Sequence, residues 1–438
     1  MNASAVAGML TYQSPVRRAS GHIDEIHRWN GGEKQCVGDR GRRWRATGRR
    51  SIIPAVTDNR RQAYIRAIGT AVPRFRAPQA EVAAWAKRVA IEQTGPVVPD
   101  SRDARWAQAA IERVYRSSAI QSRSSVVPDY VAEPADFTFY PPTWSLSPAP
   151  TTAERMELYR REAPPLAFNA ARACFDRAPE VLRSDVTHLI VVTCTGFFAP
   201  GIDTLLAKDL DLRPDVERTV VGFMGCYAAF PALRAAAAAC ASRDDAVVLV
   251  VCVELCSIHF QNELTMDNVI ANCLFSDGAA AALVTSERPP ATRPAFRIVD
   301  SYSRIEEDTE TQMTWTVIDT GFQMTLSAEV PATLERGIAP FAEELLSRNR
   351  LTMADVRFWA VHPGGRRIVD TVRDRLDLTE ADVAGSYDVL ARFGNMSSPT
   401  ILFVLDATLG TSREAGDLGV ALAFGPGLTL ESMLLESV

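Results

Sequence analysis

No apolar run in this sequence is long enough to cross a bilayer. The longest, Ala246 to Val253, spans little more than one strand, and membrane insertion is not expected. Metal-binding punctuation is also missing: no CxxC is matched by a second CxxC or an HxxxH, so no zinc or other metal site is expected. No apolar leader precedes the eight cysteines, at 36, 174, 194, 226, 240, 252, 256 and 273. Their uneven spacing does not read as a disulfide framework, and they are expected to be free thiols in a reducing cytoplasm. Histidine is scarce, with 5 in 438 residues, and beyond the first sixty only His188, His259 and His362 remain.

What is present fits a globular protein. Hydrophobic residues make up 47%, charged residues 23%, and the mean hydropathy is -0.03, which excludes wholesale disorder. The length allows two packed domains or one large two-lobed body. The net charge of -6 is unevenly distributed. Residues 1–61 carry 12 Lys and Arg against 5 Asp and Glu, leaving 35 against 48, a net of -13, for the rest. An acidic body argues against nucleic acid as the partner. The basic segment shows neither helical nor strand period. Its interspersed Asp24, Glu25, Glu33 and Asp39 spoil both a nucleic-acid tail and a transit peptide, so it is expected to be a disordered extension.

From Tyr64 onward the pattern is ordered. Tyr64 to Pro73 predicts a strand and turn, Gln79 to Gln93 a helix, and the Pro-rich 126–151 stretch an irregular loop. An α/β alternation follows: helix Ala153 to Asp176, strand His188 to Thr195, strand Thr219 to Phe223, helix Tyr227 to Ser242, strand Ala246 to Val253 and strand Ala279 to Thr285. Past Pro289 to Pro294 the order replays. Strand Arg357 to Val361 runs into His362-Pro363-Gly364-Gly365, Gly394-Asn395 opens the helix Pro399 to Leu409, and Leu418 to Ala423 is a strand. This predicts two halves, 62–287 and 295–438, in a duplicated α/β/α/β/α body of five layers.

Three residues stand at the strand–helix mouths of this plan. Cys226 follows a short apolar strand and begins an Ala-rich helix, where the positive helix end favours a thiolate. His362 closes a strand, and Asn395 opens the second-half helix. Each alone has a bland reading, as core thiol, structural imidazole or N-cap. Their coincidence at equivalent mouths is the signal.

On these residues the chain resembles the type III polyketide synthases, the chalcone synthase-like branch of the thiolase superfamily. The likeness covers roughly 62–438. It rests on Gly225-Cys226-Tyr227-Ala228, Leu274-Phe275-Ser276-Asp277-Gly278, His362-Pro363-Gly364-Gly365, Gly394-Asn395-Met396-Ser397-Ser398 and Phe424-Gly425-Pro426-Gly427-Leu428. It implies a thiolase-like fold and a cytosolic homodimer without a metal or added cofactor. The substrates would be CoA thioesters, an acyl-CoA starter and malonyl-CoA, condensed iteratively and cyclised to a pyrone, resorcinol or phloroglucinol ring. Cys226, ion-paired with His362, would carry the chain. The imidazole of His362 and the amide of Asn395 would stabilise the enolate left by decarboxylation.

The resemblance also assigns the surroundings. Phe275 is one of two aromatic gatekeepers between the CoA tunnel and the cavity. The second position falls on Met324, with Phe322 on the same strand face, a softer passage than an aromatic one. Cavity positions fall on Cys194, Thr195, Cys256, His259, Trp315, Ser397 and Pro426. His259 is either a second acid/base group or a packed ring. Ala199 replaces a Met that in plant members reaches into the partner's cavity. For CoA, Arg113 matches a phosphate-binding position and Gly364 and Gly365 leave room for the pantetheine arm, whereas Ala110 and Ser117 stand where Lys is expected. Arg116, Arg123 or Arg366 would then substitute, or this is a solvated helix face. Two other readings are weighed. A ketoacyl synthase III or hydroxymethylglutaryl-CoA synthase type of condensing enzyme fits less well, because the former has a longer polar His motif and an Asn-Thr turn. A non-catalytic scaffold is disfavoured because Cys, His and Asn are all present. Phe197, Phe198, Phe223, Met224 and Met324 lean towards an apolar acyl starter.

Overall fold

The computed structural model describes residues 62–93, 102–327, 329–411 and 413–438. The basic segment 1–61 and its expected disorder lie outside the described residues.

The first half comprises β1 (Ala63–Ala71), β2 (Phe75–Pro78), α1 (Gln79–Gln93), α2 (Arg102–Ser117), β3 (Ser122–Ser125), α3 (Thr152–Arg177), β4 (His188–Thr193), α4 (Ile202–Asp209), β5 (Glu217–Gly222), α5 (Ala229–Ser242), β6 (Val247–Leu255), α6 (Met266–Leu274) and β7 (Asp277–Thr285). The second comprises β8 (Phe296–Ile305), β9 (Met313–Ile318), β10 (Gly321–Leu326), α7 (Val330–Arg348), β11 (Val356–Val361), α8 (Arg366–Arg375), α9 (Ala384–Phe393), α10 (Thr400–Leu409), β12 (Leu418–Gly425) and β13 (Thr429–Ser437).

The strands order as β11-β12-β13-β8-β1-β7-β6-β4-β5. The internal repeat is visible in the pairing. β4 and β6 run parallel, as do β11 and β12. β6 and β7 are antiparallel, as are β12 and β13; β7 then pairs antiparallel with β1, and β13 with β8. β5 has no counterpart in the second half among the described residues. The two half-sheets meet where β1 pairs β8, over only Ala63 to Ile65 against Phe296 to Ile298.

The period-2 pleat sorts side chains into layers. Along β6, Leu249, Val251 and Val253 join a core under α3, while Val248, Val250 and Cys252 join a central core around α5 and α10. Along β12, Ala421 and Ala423 face the centre, while Val420, Leu422 and Phe424 pack under α7. Three cores separate five layers, α/β/α/β/α. The small β7 residues Ala279 to Ala282 are all fully buried and allow helices on both faces. Where α3 crosses β1, a side chain at Gly69 would collide with the backbone of Ala170 and Cys174, so only glycine permits the approach. α3 itself starts on a capping box, Thr151 Oγ1 accepting from Glu154 N while the Glu154 carboxylate accepts from Thr151 N, worth about 1 kcal/mol.

Candidate active site

Cys226 sits on a tight 3₁₀ turn, Gly225–Tyr227, between β5 and α5. The turn reverses sharply: Phe223 has φ 54° and Gly225 φ 81°. A Cβ on Gly225 would lie 2.5 Å from Pro426 Cδ of the second half, so this position requires glycine on two counts. Asn395 follows α9, and its backbone is locked beside Phe275: Asn395 N donates to Leu274 O, and Ser276 N to Asn395 O, each 2.9 Å. Its Oδ1 accepts from Ser397 N at 2.8 Å. That leaves Nδ2 directed at Gly364 O, 3.2 Å away, and at Cys226 Sγ, 3.9 Å away. Ser397, at φ 59°, takes the left-handed conformation that this loop needs. His362 ends β11, its backbone N donating to Leu422 O.

All three side chains are buried, and burial governs their charge. The Cys226 thiol is pushed up to about 11, burial outweighing hydrogen bonds from Ser397 and Asn395. The imidazole of His362 is pushed down to about 3 by burial alone. No hydrogen bond joins Cys226 to His362. Burial therefore opposes both the thiolate expected at the helix start and the Cys226–His362 ion pair that the resemblance implies. The physical reason is that desolvating two separate charges outweighs the helix end and the partial pairing. Four buried side-chain polar atoms lack a partner among the described residues, and two of them are the ring nitrogens of His362. A fully buried imidazole with both nitrogens bare is costly as structure. Both nitrogens remain available as hydrogen-bond partners.

Two cavities that share lining residues lie beside Cys226. The smaller, about 20 Å³, is lined by Cys226 together with Cys194, Thr195, Cys256, Phe275, Trp315, Met324, Ser397 and Pro426, so every one of these sequence-derived positions meets there. The larger, about 120 Å³, shares Cys256, Phe275, Trp315 and Met324 with it and extends past His259 and Phe322 to Val82, Val127, Tyr130 and Phe260. Phe275 and Met324 therefore stand between two spaces. Met324 pairs Trp315 across the β9–β10 hairpin, and Trp315 Nε1 donates to Cys194 O at 2.8 Å, fixing the hairpin to the end of β4.

His259, left open by the sequence, is packed. Its Nδ1 accepts from Phe322 N at 3.1 Å, so Nε2 carries the hydrogen and donates to Thr195 O at 2.6 Å. The ring stacks on Phe322 at 4.1 Å, and burial pushes its pKa down to about 3.

Family models agree with this geometry. The N-terminal domain model of chalcone and stilbene synthases matches residues 54–288, and the C-terminal domain model matches 297–438. The chain belongs to the chalcone and stilbene synthase family. Among type III polyketide synthases it is 35% identical over 332 residues to the alpha-pyrone synthesis polyketide synthase-like Pks18 of Mycobacterium tuberculosis, covering 75% of this chain and 82% of that protein. The fold matches PKS-I of the brown alga Ectocarpus siliculosus with a TM-score of 0.77 at 32% identity, covering 87% of this chain and 100% of that one. It also matches the C-terminal type III domain of Steely1 from Dictyostelium, with a TM-score of 0.75 at 24% identity and coverage of 86% and 99%.

Within this type III polyketide synthase the CoA-binding expectations divide. Arg113 is exposed on α2. Added Cβ atoms at Gly364 and Gly365 would meet nothing closer than 3.8 Å and 3.6 Å, so the turn after His362 is open. Ala110 is buried and contributes nothing to phosphate binding. All three substitutes have partners within the protein: Arg123 donates to Gln79 Oε1 and to the carbonyls of Asn272 and Phe275, Arg366 pairs Asp370 and lies over Tyr387, and Arg116 pairs Glu112.

One site residue escaped the sequence reading. Glu254, wholly buried on β6, accepts from Cys194 N at 2.8 Å, Thr195 Oγ1 at 2.7 Å and Ser398 Oγ at 2.6 Å. Its signal was a lone acid inside the apolar run Val250-Val251-Cys252-Val253-Glu254-Leu255.

Proposed function

We propose that this synthase loads an acyl-CoA starter on Cys226, decarboxylates malonyl-CoA, condenses the two iteratively and closes an α-pyrone. Residues 62–287 would supply the nucleophile and 295–438 the His and Asn. As sulfur attacks the starter thioester, the thiol proton passes to His362. The tetrahedral centre collapses, and the leaving CoA sulfur takes that proton back. Decarboxylation breaks the malonyl carbon–carboxylate bond, releases CO₂ and moves the electron pair onto the thioester oxygen. Asn395 Nδ2–H and a His362 ring N–H are the donors for that enolate. The enolate carbon then attacks the acyl-Cys226 carbonyl, the acyl–sulfur bond breaks and Cys226 leaves as thiolate. The chain, two carbons longer, is now a CoA thioester and returns to Cys226 with release of CoA before the next round.

The observation that carries this reading is a cavity-lining thiol, Cys226, with the carboxamide of Asn395 3.9 Å from its sulfur and a buried imidazole, His362, bare at both nitrogens. The apolar lining of the larger cavity favours an aliphatic acyl starter over an aromatic one, and the name of Pks18 supports a pyrone product. A homodimer is part of the proposal. β5 is a sheet edge, exposed along most of its length, and Phe197, Val220 and Phe223 are exposed beside it, a surface suited to a second copy. The seven described cysteines are all free, which accords with a cytoplasmic enzyme.

The test is product mass analysis with purified protein, malonyl-CoA and a panel of aliphatic and aromatic acyl-CoAs. Pyrones formed from aliphatic starters support the proposal. Absence of both starter loading and malonyl-CoA decarboxylation overturns it, and products formed only from acyl carrier protein thioesters favour the ketoacyl synthase type.

A further inference from the structure

Two helices end against each other beside Asn395. α6 stops at Leu274, just before Phe275, and α9 stops at Phe393, just before Gly394 and Asn395. The last carbonyls of a helix have no partner within it and form the negative end of its dipole, so they must be met from outside.

At the end of α6 the partners are unusual. Asn272 O and Phe275 O both accept from Arg123 Nη1, the former at 2.8 Å. Cys273 O accepts from Gln79 Nε2 at 3.0 Å, and Oε1 of the same amide accepts from Arg123 Nε at 2.9 Å. The remaining carbonyl, Leu274 O, accepts from the backbone N of Asn395 at 2.9 Å. A guanidinium, its amide partner and the backbone of Asn395 therefore share one helix end, and the cation lies where the dipole favours it.

The end of α9 is met from the same side. Ala391 O accepts from Gln121 N, Arg392 O from Ser122 Oγ and Arg76 Nη2, and Phe393 O from Ser276 Oγ. The stem of Arg123 lies against the turn between this helix and Asn395. A Cβ on Gly394, at φ 71°, would stand 3.1 Å from Arg123 Cγ and Cδ and from Leu274 O. The Asn395 side chain is not free to correct a displaced backbone, because its Oδ1 is committed to Ser397 N, and Nδ2 is thereby aimed at Cys226 Sγ.

We propose that Arg123 is a positioning residue: by holding the end of α6 against Gly394 it sets where the Asn395 amide stands, and through that amide the rate of malonyl-CoA decarboxylation. This rests on Asn395 being an enolate donor. Arg123 also lines the larger cavity, so its action through Asn395 must be separated from direct contact with the starter.

The test measures CO₂ release from malonyl-CoA and, separately, acylation of Cys226 by acyl-CoA, in full-length Arg123→Ala, Asn395→Ala and the double variant. Arg123→Ala is expected to slow decarboxylation on the order of 10–10²-fold, the cost of misplacing a group by about 1 Å, with acylation changed far less. Arg123→Lys keeps the stem and a charge at the helix end and is expected to recover most of that loss. In the Asn395→Ala background, Arg123→Ala is expected to cost less than about twofold more, since the group it positions is gone. Gln79→Ala removes the acceptor of Arg123 Nε; it is expected to show the same selective loss at smaller size and serves if Arg123→Ala fails to fold. Equal loss in both reactions, losses that multiply in the double variant, or an effect confined to the choice of starter overturns the proposal and leaves Asn395 as donor intact. Undiminished decarboxylation in Asn395→Ala overturns that assignment and the proposal with it.

Discussion

His259 and His362 are two imidazoles buried almost equally and lowered to the same value, about 3, by the same desolvation. They differ in their partners. His259 has both nitrogens hydrogen-bonded and its face covered by Phe322, while His362 has neither nitrogen occupied. Burial and a shifted pKa therefore do not separate a working histidine from a packed one. Unspent hydrogen-bonding capacity does, because a fold tolerates that cost only where something else will use it.

The contrast is open to attack in several ways. The largest effect belongs to the nucleophile: Cys226→Ala is expected to abolish the acyl-protein adduct seen by intact mass after incubation with acyl-CoA. Asn395→Ala removes one enolate donor and is expected to slow malonyl-CoA decarboxylation, read as CO₂ release, on the order of 10²–10³-fold, with Cys226 still accepting the starter. Met324→Phe narrows the passage between the two cavities, and product masses are expected to shift towards shorter starters by about tenfold in relative rate. His259→Phe leaves Thr195 O and Phe322 N without partners and is expected to cost about 1–3 kcal/mol in urea unfolding, with decarboxylation changed far less than in Asn395→Ala. An equal loss of activity would erase the distinction drawn between the two rings.

Acid titration sharpens the same pair. Between pH 3 and 6.5, the folded and ordinary values of both rings, the unfolded chain binds protons that the fold refuses, so stability rises with pH through that window. Glu254, raised to about 7, works the other way, retaining a proton that the unfolded chain has lost above about 4.5. His259→Phe is expected to lower the slope of unfolding free energy by up to about 1.4 kcal/mol per pH unit inside the histidine window, measured by urea titration. An unchanged slope would mean that His259 is protonated in the fold.

The legible features were those fixed by local pattern. Gln79–Gln93 is a helix and Leu418–Gly425 a strand, and the β-branched run before Thr195 is a strand paired in parallel on both sides. Cys226, His362 and Asn395 stood out because each closes or opens an element at a matched place in two halves. What the sequence concealed depends on contacts distant along the chain. Burial of Cys226, which opposes a charge there, depends on packing from both halves and is not visible in its position before a helix. His259 could not be resolved until its two acceptor and donor partners, Thr195 and Phe322, came from different elements. Glu254 reads as an anomaly in an apolar strand until Ser398, 144 residues later, is seen to donate to it.

The short seam between the half-sheets has a mechanical corollary. Sulfur belongs to one half and imidazole to the other, and the backbone ladder that stitches those halves together is short: three residue pairs at β1 and β8, and the bridge between Phe275 and Asn395. How the two halves seat against each other thus depends strongly on side-chain packing in the central core around α5 and α10, a matter of van der Waals fit. Hydrostatic pressure, which compresses packed interfaces while leaving bond lengths alone, becomes a handle on this chemistry.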